Sequence, residues 1–483
     1  MASDDLPESA VALAEAIRSK AISCVEVMTA TLARVDRLNP HVNAIIARRP
    51  HEALLSEARA RDDDIARGNY RGALHGFPQA VKDLEPMHDL PTSMGFAPFR
   101  DLVAPGDSIM VERMRKSGAV FIGRTNTPEF GLGSHTFNKL HGATRNAYDQ
   151  NKSAGGSSGG AAVALALRML PVADGSDYGG SLRNPAGWNN IFALRPSIGR
   201  IPSAARGGDV WLPSMGVVGP MARSIADLAW LFSVQTGYDD RAPLSVEQPL
   251  DLQDLHRRDL RGARIAWSGD IGGYLPFEPG VLDTCRAALK IFEDVGCIVE
   301  EANPDFPIDN VWRAFLTLRA WQAGSGLLPI YNNPSLRRHM KPEAVFEVEQ
   351  GAKLKAFDIS AASAVRSQWY EAVRQFFTRY DYWILPTAQL FPFDVDLDWP
   401  KEIAGRAMTT YHEWMKVVLP VTMSGCPALA VPAGFGPGGL PIGLQIVAPN
   451  HRERACLELG LAYEQRATWL SSRPPLIDQA RAT

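Results

Sequence analysis

Apolar residues recur along the start of this chain at the three- and four-residue spacing of a helix face. The face of the first clear helix carries Val25, Met28, Leu32, Val35 and Leu38. Residues 23–26 place a serine three positions before a glutamate, a capping box that predicts where this helix begins. A second helix is predicted over residues 51–67, ending at Gly68. Residues 1–70 are therefore predicted to be a helical segment.

After this segment, short apolar runs of strand length alternate with longer helical patterns. Strands are predicted at 119–122, 262–267, 382–385, 428–431 and 442–447, a short apolar run at 76–81 leads into Lys82, and residues 170–173 precede the second glycine-rich segment. Helices are predicted at 107–116, with Asp107 as the cap, and at 161–170, 281–295, 360–379 and 452–465. This interleaving is typical of the α/β class. The length of 483 residues alone would suggest about three domains of roughly 150 residues each, although no linker marks a boundary.

Composition and charge exclude several classes of protein. The formal net charge is −3, so neither a nucleic-acid footprint nor an acidic tail is expected. No apolar run approaches the ~18 residues that span a bilayer. The start, Met1–Asp5, lacks the basic and apolar layout of a signal peptide. The five cysteines form no CxxC pair and are odd in number, which favours a reducing cytoplasm.

Two glycine-serine segments flank one predicted helix. They read GGSSGG at 155–160 and GSDYGGSLR at 175–183. Such segments are often flexible linkers, but both of these adjoin apolar, ordered sequence. Acyl transfer needs backbone N–H groups that converge on a developing oxyanion, and glycines allow the necessary turn. A serine at its end, Ser181, would then hold a nucleophilic hydroxyl beside these donors.

A serine hydroxyl needs an adjacent base. None of the 10 histidines has a spacing that singles it out. Lys82 ends an apolar run, where a lysine often emerges into solvent. If it is instead held in an apolar site, desolvation disfavours its charged form and lets it act as a base.

These residues together resemble the amidase signature family. Val81-Lys82-Asp83 matches the family's lysine motif, GGSSGG matches in every position, and 175–183 matches the nucleophile segment except at Tyr178. The spacings also agree, with 75 residues from Lys82 to Ser157 and 24 from Ser157 to Ser181. Flanking segments match at 123–126, 142–146, 219–223 and 439–445. The resemblance covers residues 8 to 465 and is weakest between 240 and 410.

The resemblance implies the amidase signature fold, an α/β fold with a large mixed central β-sheet covered by helices. It implies a single compact domain, which replaces the three-domain estimate. Within that domain, residues 1–70 would be an N-terminal helical segment packed on the core, and residues 71–483 the amidase signature domain proper.

The resemblance also implies an amidohydrolase that forms an acyl-enzyme, with esterase side activity. Lys82 would be the neutral base, Ser157 a proton relay on a cis peptide bond, and Ser181 the nucleophile. Backbone groups near the substrate would come from Gly131, Tyr178, Gly179, Gly180 and Ser181. The expected partner is a small-molecule amide, with a homodimer as an open alternative. No nucleic acid, membrane, metal or cofactor is expected, because no HExxH, phosphate loop or GxGxxG motif occurs.

Two departures from the family bear on the substrate. Tyr178 stands where the family has a small residue, so its ring is expected to crowd or line the pocket. Six tryptophans fall in or beside the least family-like region: Trp312, Trp321, Trp369, Trp383, Trp399 and Trp414. They indicate either ordinary core packing or a wide aromatic pocket, and the second favours an apolar acyl or aryl amide.

Three other functions compete with this interpretation. Residues 155–159 satisfy the G-x-S-x-G pattern of α/β-hydrolases, but polar loop sequence precedes them where that elbow requires a strand. A glutaminase subunit of a tRNA-dependent amidotransferase usually carries a Tyr-Gly-Arg-Val-Ser-type run, and this chain has Ile198-Gly199-Arg200-Ile201. A catalytically silent binding protein is the third alternative.

Overall fold

The protein is described by a computed structural model that covers residues 6–204, 209–211 and 214–480. The predicted acidic start, Met1–Asp5, lies outside these residues. The helices are α1 (Ala10–Arg18), α2 (Cys24–Val42), α3 (His51–Ala66), α4 (Ile109–Lys116), α5 (Gly159–Ala166), α6 (Arg183–Trp188), α7 (Ile225–Gln235), α8 (Val281–Val295), α9 (Ile308–Tyr331), α10 (Pro334–Arg337), α11 (Pro342–Gly351), α12 (Ala356–Phe376), α13 (Leu419–Ser424), α14 (Glu453–Glu464) and α15 (Leu476–Gln479).

Strands alternate with these helices, which confirms the α/β prediction. They are β1 (Ile45–Ile46), β2 (Pro78–Lys82), β3 (Val120–Thr125), β4 (Phe137–Asn138), β5 (Gly142–Ala143), β6 (Val172–Asp177), β7 (Phe192–Arg195), β8 (Val217–Ala222), β9 (Arg264–Trp267), β10 (Ile298–Glu301), β11 (Tyr382–Pro386), β12 (Glu402–Ile403), β13 (Arg406–Ala407), β14 (Ala428–Phe435) and β15 (Pro441–Val447).

The main sheet has eight strands in the order β10-β9-β11-β15-β14-β7-β8-β6. β9 runs parallel to both β10 and β11. The remaining neighbours, from β11 to β6, are antiparallel. The sheet is therefore mixed, and the predicted large mixed central sheet is confirmed.

A smaller sheet, in the order β1-β3-β2, brings Lys82 to the edge of the main one. β2 runs parallel to β3 and ends with Lys82 opposite Thr125. The backbone N–H of Lys82 donates to Asp174 Oδ2 on β6 at 3.1 Å. This hydrogen bond joins the two sheets where β6 leads into the second glycine-serine segment.

Local capping chemistry sets the helix starts, and one prediction about it was wrong. The capping box of α2 is confirmed: Glu26 N–H donates to Ser23 Oγ at 3.1 Å, and Ser23 N–H donates to Glu26 Oε2 at 2.9 Å. α4 is capped by Ser108 instead of Asp107. The Asp107 carboxylate instead accepts hydrogen bonds from the backbone N–H of His88 and from the Arg115 guanidinium.

The largest apolar core runs from α1 to α15 and includes residues on both sides of position 70. The helical start also contributes a strand, because β1 pairs antiparallel with β3. The division of the chain at residue 70 stays a prediction. Within the described residues, no helix combines the length and apolar character needed to cross a membrane.

The region least like the family includes three helices that the sequence patterns missed, α9, α10 and α11, beside α8 and α12, which they predicted. α9 is 24 residues long and packs closely against α11. At Gly324 of α9, an added Cβ would lie only 2.8 Å from the backbone oxygen of Glu347 in α11. Glycine at this crossing therefore lets the two helix backbones approach each other.

Candidate active site

Lys82 is completely buried, and hydroxyl groups surround its amine. Its Nζ lies 2.7 Å from Ser157 Oγ, 2.8 Å from Ser158 Oγ and 2.9 Å from Ser176 Oγ. No carboxylate in the described part of the chain forms an ion pair with it. The alternative in which Lys82 emerges into solvent is therefore wrong for this fold.

The surroundings of Lys82 change its acid-base behaviour. Burial lowers the pKa of the amine from 10.5 to about 7, because a charged ammonium loses its hydration there. The negative charges of Asp174 and Asp177 oppose this shift without cancelling it. A large fraction of Lys82 is therefore neutral near pH 7 and able to accept a proton.

Ser157 lies between the lysine and the loop that carries Gly131. The Gly156–Ser157 peptide bond is cis, as the resemblance implied. Gly131 has a φ of +69°, and an added Cβ there would lie 3.6 Å from Ser157 Oγ and 2.7 Å from Leu84 Cδ1. A side chain at position 131 would collide with Leu84 and would need a backbone angle that side chains rarely adopt, which explains why glycine fits this position beside Ser157.

The two glycine-serine segments meet at their serines. The backbone N–H of Ser158 donates to the backbone oxygen of Ser181 at 3.2 Å. Gly180 turns the chain just before Ser181 with a φ of +92°, a conformation that side chains rarely adopt. An added Cβ at Gly180 would also lie 2.6 Å from Val418 Cγ2.

Asp177 holds this turn from inside the protein. Its carboxylate accepts the N–H of Gly180 at 3.0 Å and that of Leu182 at 3.1 Å. It also pairs with the buried guanidiniums of Arg183 and Arg195, each at 3.0 Å. Burial alone would raise the pKa of Asp177, but these two cations hold it well below its usual range.

This network revises the expectation for the oxyanion donors. The N–H of Gly180 already donates to Asp177. No described residue accepts a hydrogen bond from the N–H of Tyr178, Gly179 or Ser181. Gly180 therefore serves the turn through its conformation and its bond to Asp177, and an oxyanion role for the other three N–H groups stays a prediction.

Asp177→Asn is expected to lower the free energy of unfolding by about 3 kcal/mol, because it removes the one carboxylate charge that pairs with two buried guanidiniums. Urea unfolding followed by fluorescence measures this loss. Glu15→Gln is the matched control: Glu15 pairs with Arg18 on the surface, and its loss should leave the unfolding midpoint unchanged. A loss no larger than that of the control would contradict the role assigned to Asp177.

Tyr178 occupies the start of the turn with its side chain directed toward α9. Its hydroxyl donates to Gln322 Oε1 at 2.8 Å, and its ring packs edge-on against Phe315 at 6.3 Å between centroids. Trp312 stacks on Phe315 at 6.0 Å. A row of three aromatic rings, from Trp312 through Phe315 to Tyr178, therefore lies beside the glycine turn.

Half of the predicted set of six tryptophans belongs to the core. Trp369, Trp383 and Trp414 are each only 1% exposed. Trp312 is half-buried and is the one that belongs to the row beside Tyr178. The interpretation as core packing is thus confirmed for three tryptophans.

One group of side chains in the described residues has the spacing of metal ligands: His88, Asp89 and Asp107. Arg115 binds both carboxylates of this group, with Nη1 at 2.9 Å from Asp89 Oδ2 and Nε at 2.7 Å from Asp107 Oδ2. Arg115 therefore offsets one of the two negative charges, and its N–H groups occupy oxygens of both carboxylates.

Comparison with known proteins covers nearly the whole chain. A family model described as Amidase matches residues 26–457. The fold and the comparisons define an amide-hydrolysing enzyme. More particularly, the chain belongs to the amidase signature family.

Individual relatives are similar over almost their full length. The chain is 32% identical to an acylamidase of Rhodococcus erythropolis over 472 residues, covering 96% of this chain and 97% of the relative. It is 30% identical to a glutamyl-tRNA(Gln) amidotransferase subunit of Chloroflexus aurantiacus, covering 94% and 96%. A crystal structure of a bacterial aryl acylamidase of the amidase signature family superposes with a TM-score of 0.90 at 27% identity, covering 98% of both chains.

Proposed function

We propose that this protein is a serine amidohydrolase that cleaves an apolar acyl or aryl amide through an acyl-enzyme on Ser181. The observation that carries the proposal is the position of the Lys82 amine. It is buried, loses its proton readily, and lies 2.7 Å from the Ser157 hydroxyl. A base is effective when its pKa lies near the working pH, and the pKa of Lys82 is about 7.

The proposed reaction moves one proton through two hydroxyls. Neutral Lys82 takes the proton of Ser157, and Ser157 takes that of Ser181 as its Oγ attacks the substrate carbonyl. The N–H groups of Tyr178, Gly179 and Ser181 stabilise the oxyanion that forms. The proton then returns through Ser157 to the leaving amine as the C–N bond breaks. Water, activated by the same relay, attacks the ester and releases the acid and Ser181.

The aromatic row supports the assignment of the substrate class. Tyr178 and Trp312 are partly exposed, and Tyr178 is the first residue of the turn that carries the proposed backbone donors. Planar groups gain about 0.5–1.5 kcal/mol from aromatic pairing beyond the area they bury. The names acylamidase and aryl acylamidase among the relatives agree with this assignment.

A matched pair of amides tests the substrate class. N-benzylacetamide and N-(cyclohexylmethyl)acetamide share an acyl group and nearly the same size, but only the first presents a planar ring. We expect kcat/KM to be about two- to twelvefold higher for the benzyl amide, from the pairing free energy given above. Release of the amine, followed by chromatography, provides the measurement. Trp312→Leu should remove most of this preference while leaving turnover of the cyclohexylmethyl amide unchanged.

The same assay separates the competing functions. Equal rates on both amides would contradict the aryl preference. Hydrolysis of glutamine but of neither amide would favour the glutaminase alternative, and the absence of labelling by a fluorophosphonate probe would favour a silent binding protein. We expect activity on simple amides without any partner protein.

We further propose the cytoplasm as the compartment. All five cysteines are free and buried, namely Cys24, Cys285, Cys297, Cys426 and Cys456. Free thiols persist in a reducing compartment, which supports the assignment. That the chain works without nucleic acid, alone or as a homodimer, stays a prediction.

A further inference from the structure

One face of α9 holds the side chain of Tyr178. Phe315, Arg319 and Gln322 are four and three residues apart, a spacing that puts side chains on the same side of a helix. The Tyr178 hydroxyl bonds Gln322, its ring meets Phe315 edge-on, and the guanidinium carbon of Arg319 lies 5.0 Å from the ring centroid. The ring is therefore fixed at its tip, at its edge and across its face.

Arg319 is itself fixed by a buried polar group. Its Nε donates to Glu347 Oε1 at 2.8 Å, and its Nη2 donates to the Tyr411 hydroxyl at 3.0 Å, while His412 Nε2 lies 2.8 Å from the same Glu347 oxygen. Tyr411 donates in turn to Glu347. Arg319 is 6% and Glu347 1% exposed, so this ion pair is shielded from solvent.

The ion pair neutralises the charge of Arg319 within the protein. Burial would raise the pKa of Glu347, but the charge of Arg319 and the hydrogen bonds from His412 and Tyr411 hold it at about 2. Glu347 therefore stays ionised and balances the guanidinium. An arginine whose charge is balanced in this way is poorly suited to bind a carboxylate of the substrate. The face of its guanidinium covers the Tyr178 ring instead.

The backbone of Tyr178 belongs to the site, although its side chain lies outside the Lys82–Ser157–Ser181 group. Its N–H is the first of the three donors proposed for the oxyanion. The ring and this N–H share one Cα, so movement of the ring transmits directly to the donor. A displacement of about 1 Å in such a group can cost on the order of 100-fold in rate.

We infer that Arg319 is a positioning residue for the amidase reaction, acting through the Tyr178 ring on the backbone donor at the start of the oxyanion turn. This inference rests on the proposed function, because it gives the Tyr178 N–H its role. Arg319 touches no reacting atom. It holds in place the ring that sets the direction of the donor.

A double-mutant cycle tests the path through the ring. Arg319→Lys keeps the charge opposite Glu347 but loses the planar face and the bond pattern of the guanidinium. We expect kcat on N-benzylacetamide to fall about tenfold, with KM within about twofold of wild type, as for an interaction that acts in the transition state. In a Tyr178→Ala background, the same Arg319→Lys change should alter kcat by less than about twofold.

The background dependence distinguishes positioning from support of the fold. If Arg319 only holds α9 against α11, Arg319→Lys lowers kcat equally in both backgrounds, and that result overturns the inference. Arg113→Lys is the matched control, because Arg113 is likewise held by several hydrogen bonds, to backbone oxygens near Gly237 and away from the site. It should change neither kcat nor KM.

A second variant covers the case in which Arg319→Lys fails to fold. Tyr411→Phe removes one acceptor of the guanidinium and leaves the ion pair with Glu347 intact. It should lower kcat about threefold when Tyr178 is present and leave kcat unchanged in the Tyr178→Ala background. Equal effects in both backgrounds would again overturn the inference.

Labelling of Ser181 by a fluorophosphonate separates this inference from the proposed function. A wild-type enzyme that neither hydrolyses amides nor is labelled overturns the proposed function and the inference with it. A wild-type enzyme that does both, combined with additive effects of the two substitutions, overturns the inference alone. Labelling rates should follow kcat across the cycle, because the phosphoryl oxygen uses the same backbone donors.

Discussion

Ser181→Ala should reduce amide turnover by on the order of 10⁵-fold, the largest effect expected for any single substitution in this protein. The variant loses the oxygen that attacks the carbonyl, and water would have to take its place. The backbone donors and Lys82 remain, so a small residual rate from oxyanion stabilisation should persist. Labelling by a fluorophosphonate should disappear completely.

The loss should be chemical and not structural. Ser181 is 7% exposed, and alanine fits the same backbone conformation. The unfolding midpoint in urea should therefore match that of wild type. Ser233→Ala, which removes an exposed hydroxyl that bonds Trp230 O, is the matched control and should retain full activity and labelling. A Ser181→Ala variant with wild-type turnover would defeat the assignment of the nucleophile.

The sequence predicts those parts of the site whose residues lie close together along the chain. Glycine-serine segments at 155–160 and 175–183 contain the hydroxyls that the structure places at hydrogen-bonding distance from Lys82. Ser158 and Ser176 lie in the same segments and were missed as partners of the lysine, although their positions could have suggested them. The local sequence also predicted both ends of α8 correctly. Gly296 ends this helix on its C-terminal side.

Other features depend on contacts between distant parts of the chain. Arg319 meets Tyr178 across about 140 residues, and only the packing of α9 against α11 brings it there. No motif marks α9, because its half-buried face mixes tryptophan, arginine and glutamine. His412 was one of ten histidines with no distinguishing spacing, and it lies in this buried group.

The sequence also does not show which of several polar groups takes a given hydrogen bond. Four successive N–H groups, from Tyr178 to Ser181, look equivalent as oxyanion donors. The structure shows that the Asp177 carboxylate accepts one of them, at Gly180. The same competition decided the start of α4, where Arg115 and His88 occupy the expected cap Asp107 and Ser108 replaces it. Which of several polar groups satisfies a donor is a property of the folded neighbourhood.

Removal of the Lys82 amine should be the second-largest single effect. Lys82→Ala is expected to lower kcat/KM about 1,000-fold at pH 7, because general base catalysis contributes on the order of 10²–10⁴. The loss should be smallest at high pH, where hydroxide can take the serine proton. Lys82→Arg should be at least as impaired at every pH, since a guanidinium does not deprotonate in this range.

The pH dependence identifies the group itself. Burial places the pKa of Lys82 at about 7, so the neutral, proton-accepting form predominates above that pH. In wild type, kcat/KM should therefore rise about tenfold per unit below pH 7 and level off above it. Lys82→Ala should abolish this rise. Lys341→Met is the matched control: Lys341 is also buried, with Nζ bonded to Leu132 O, and its loss should leave the midpoint in place. If the rise near pH 7 survived in Lys82→Ala, another group would be the base.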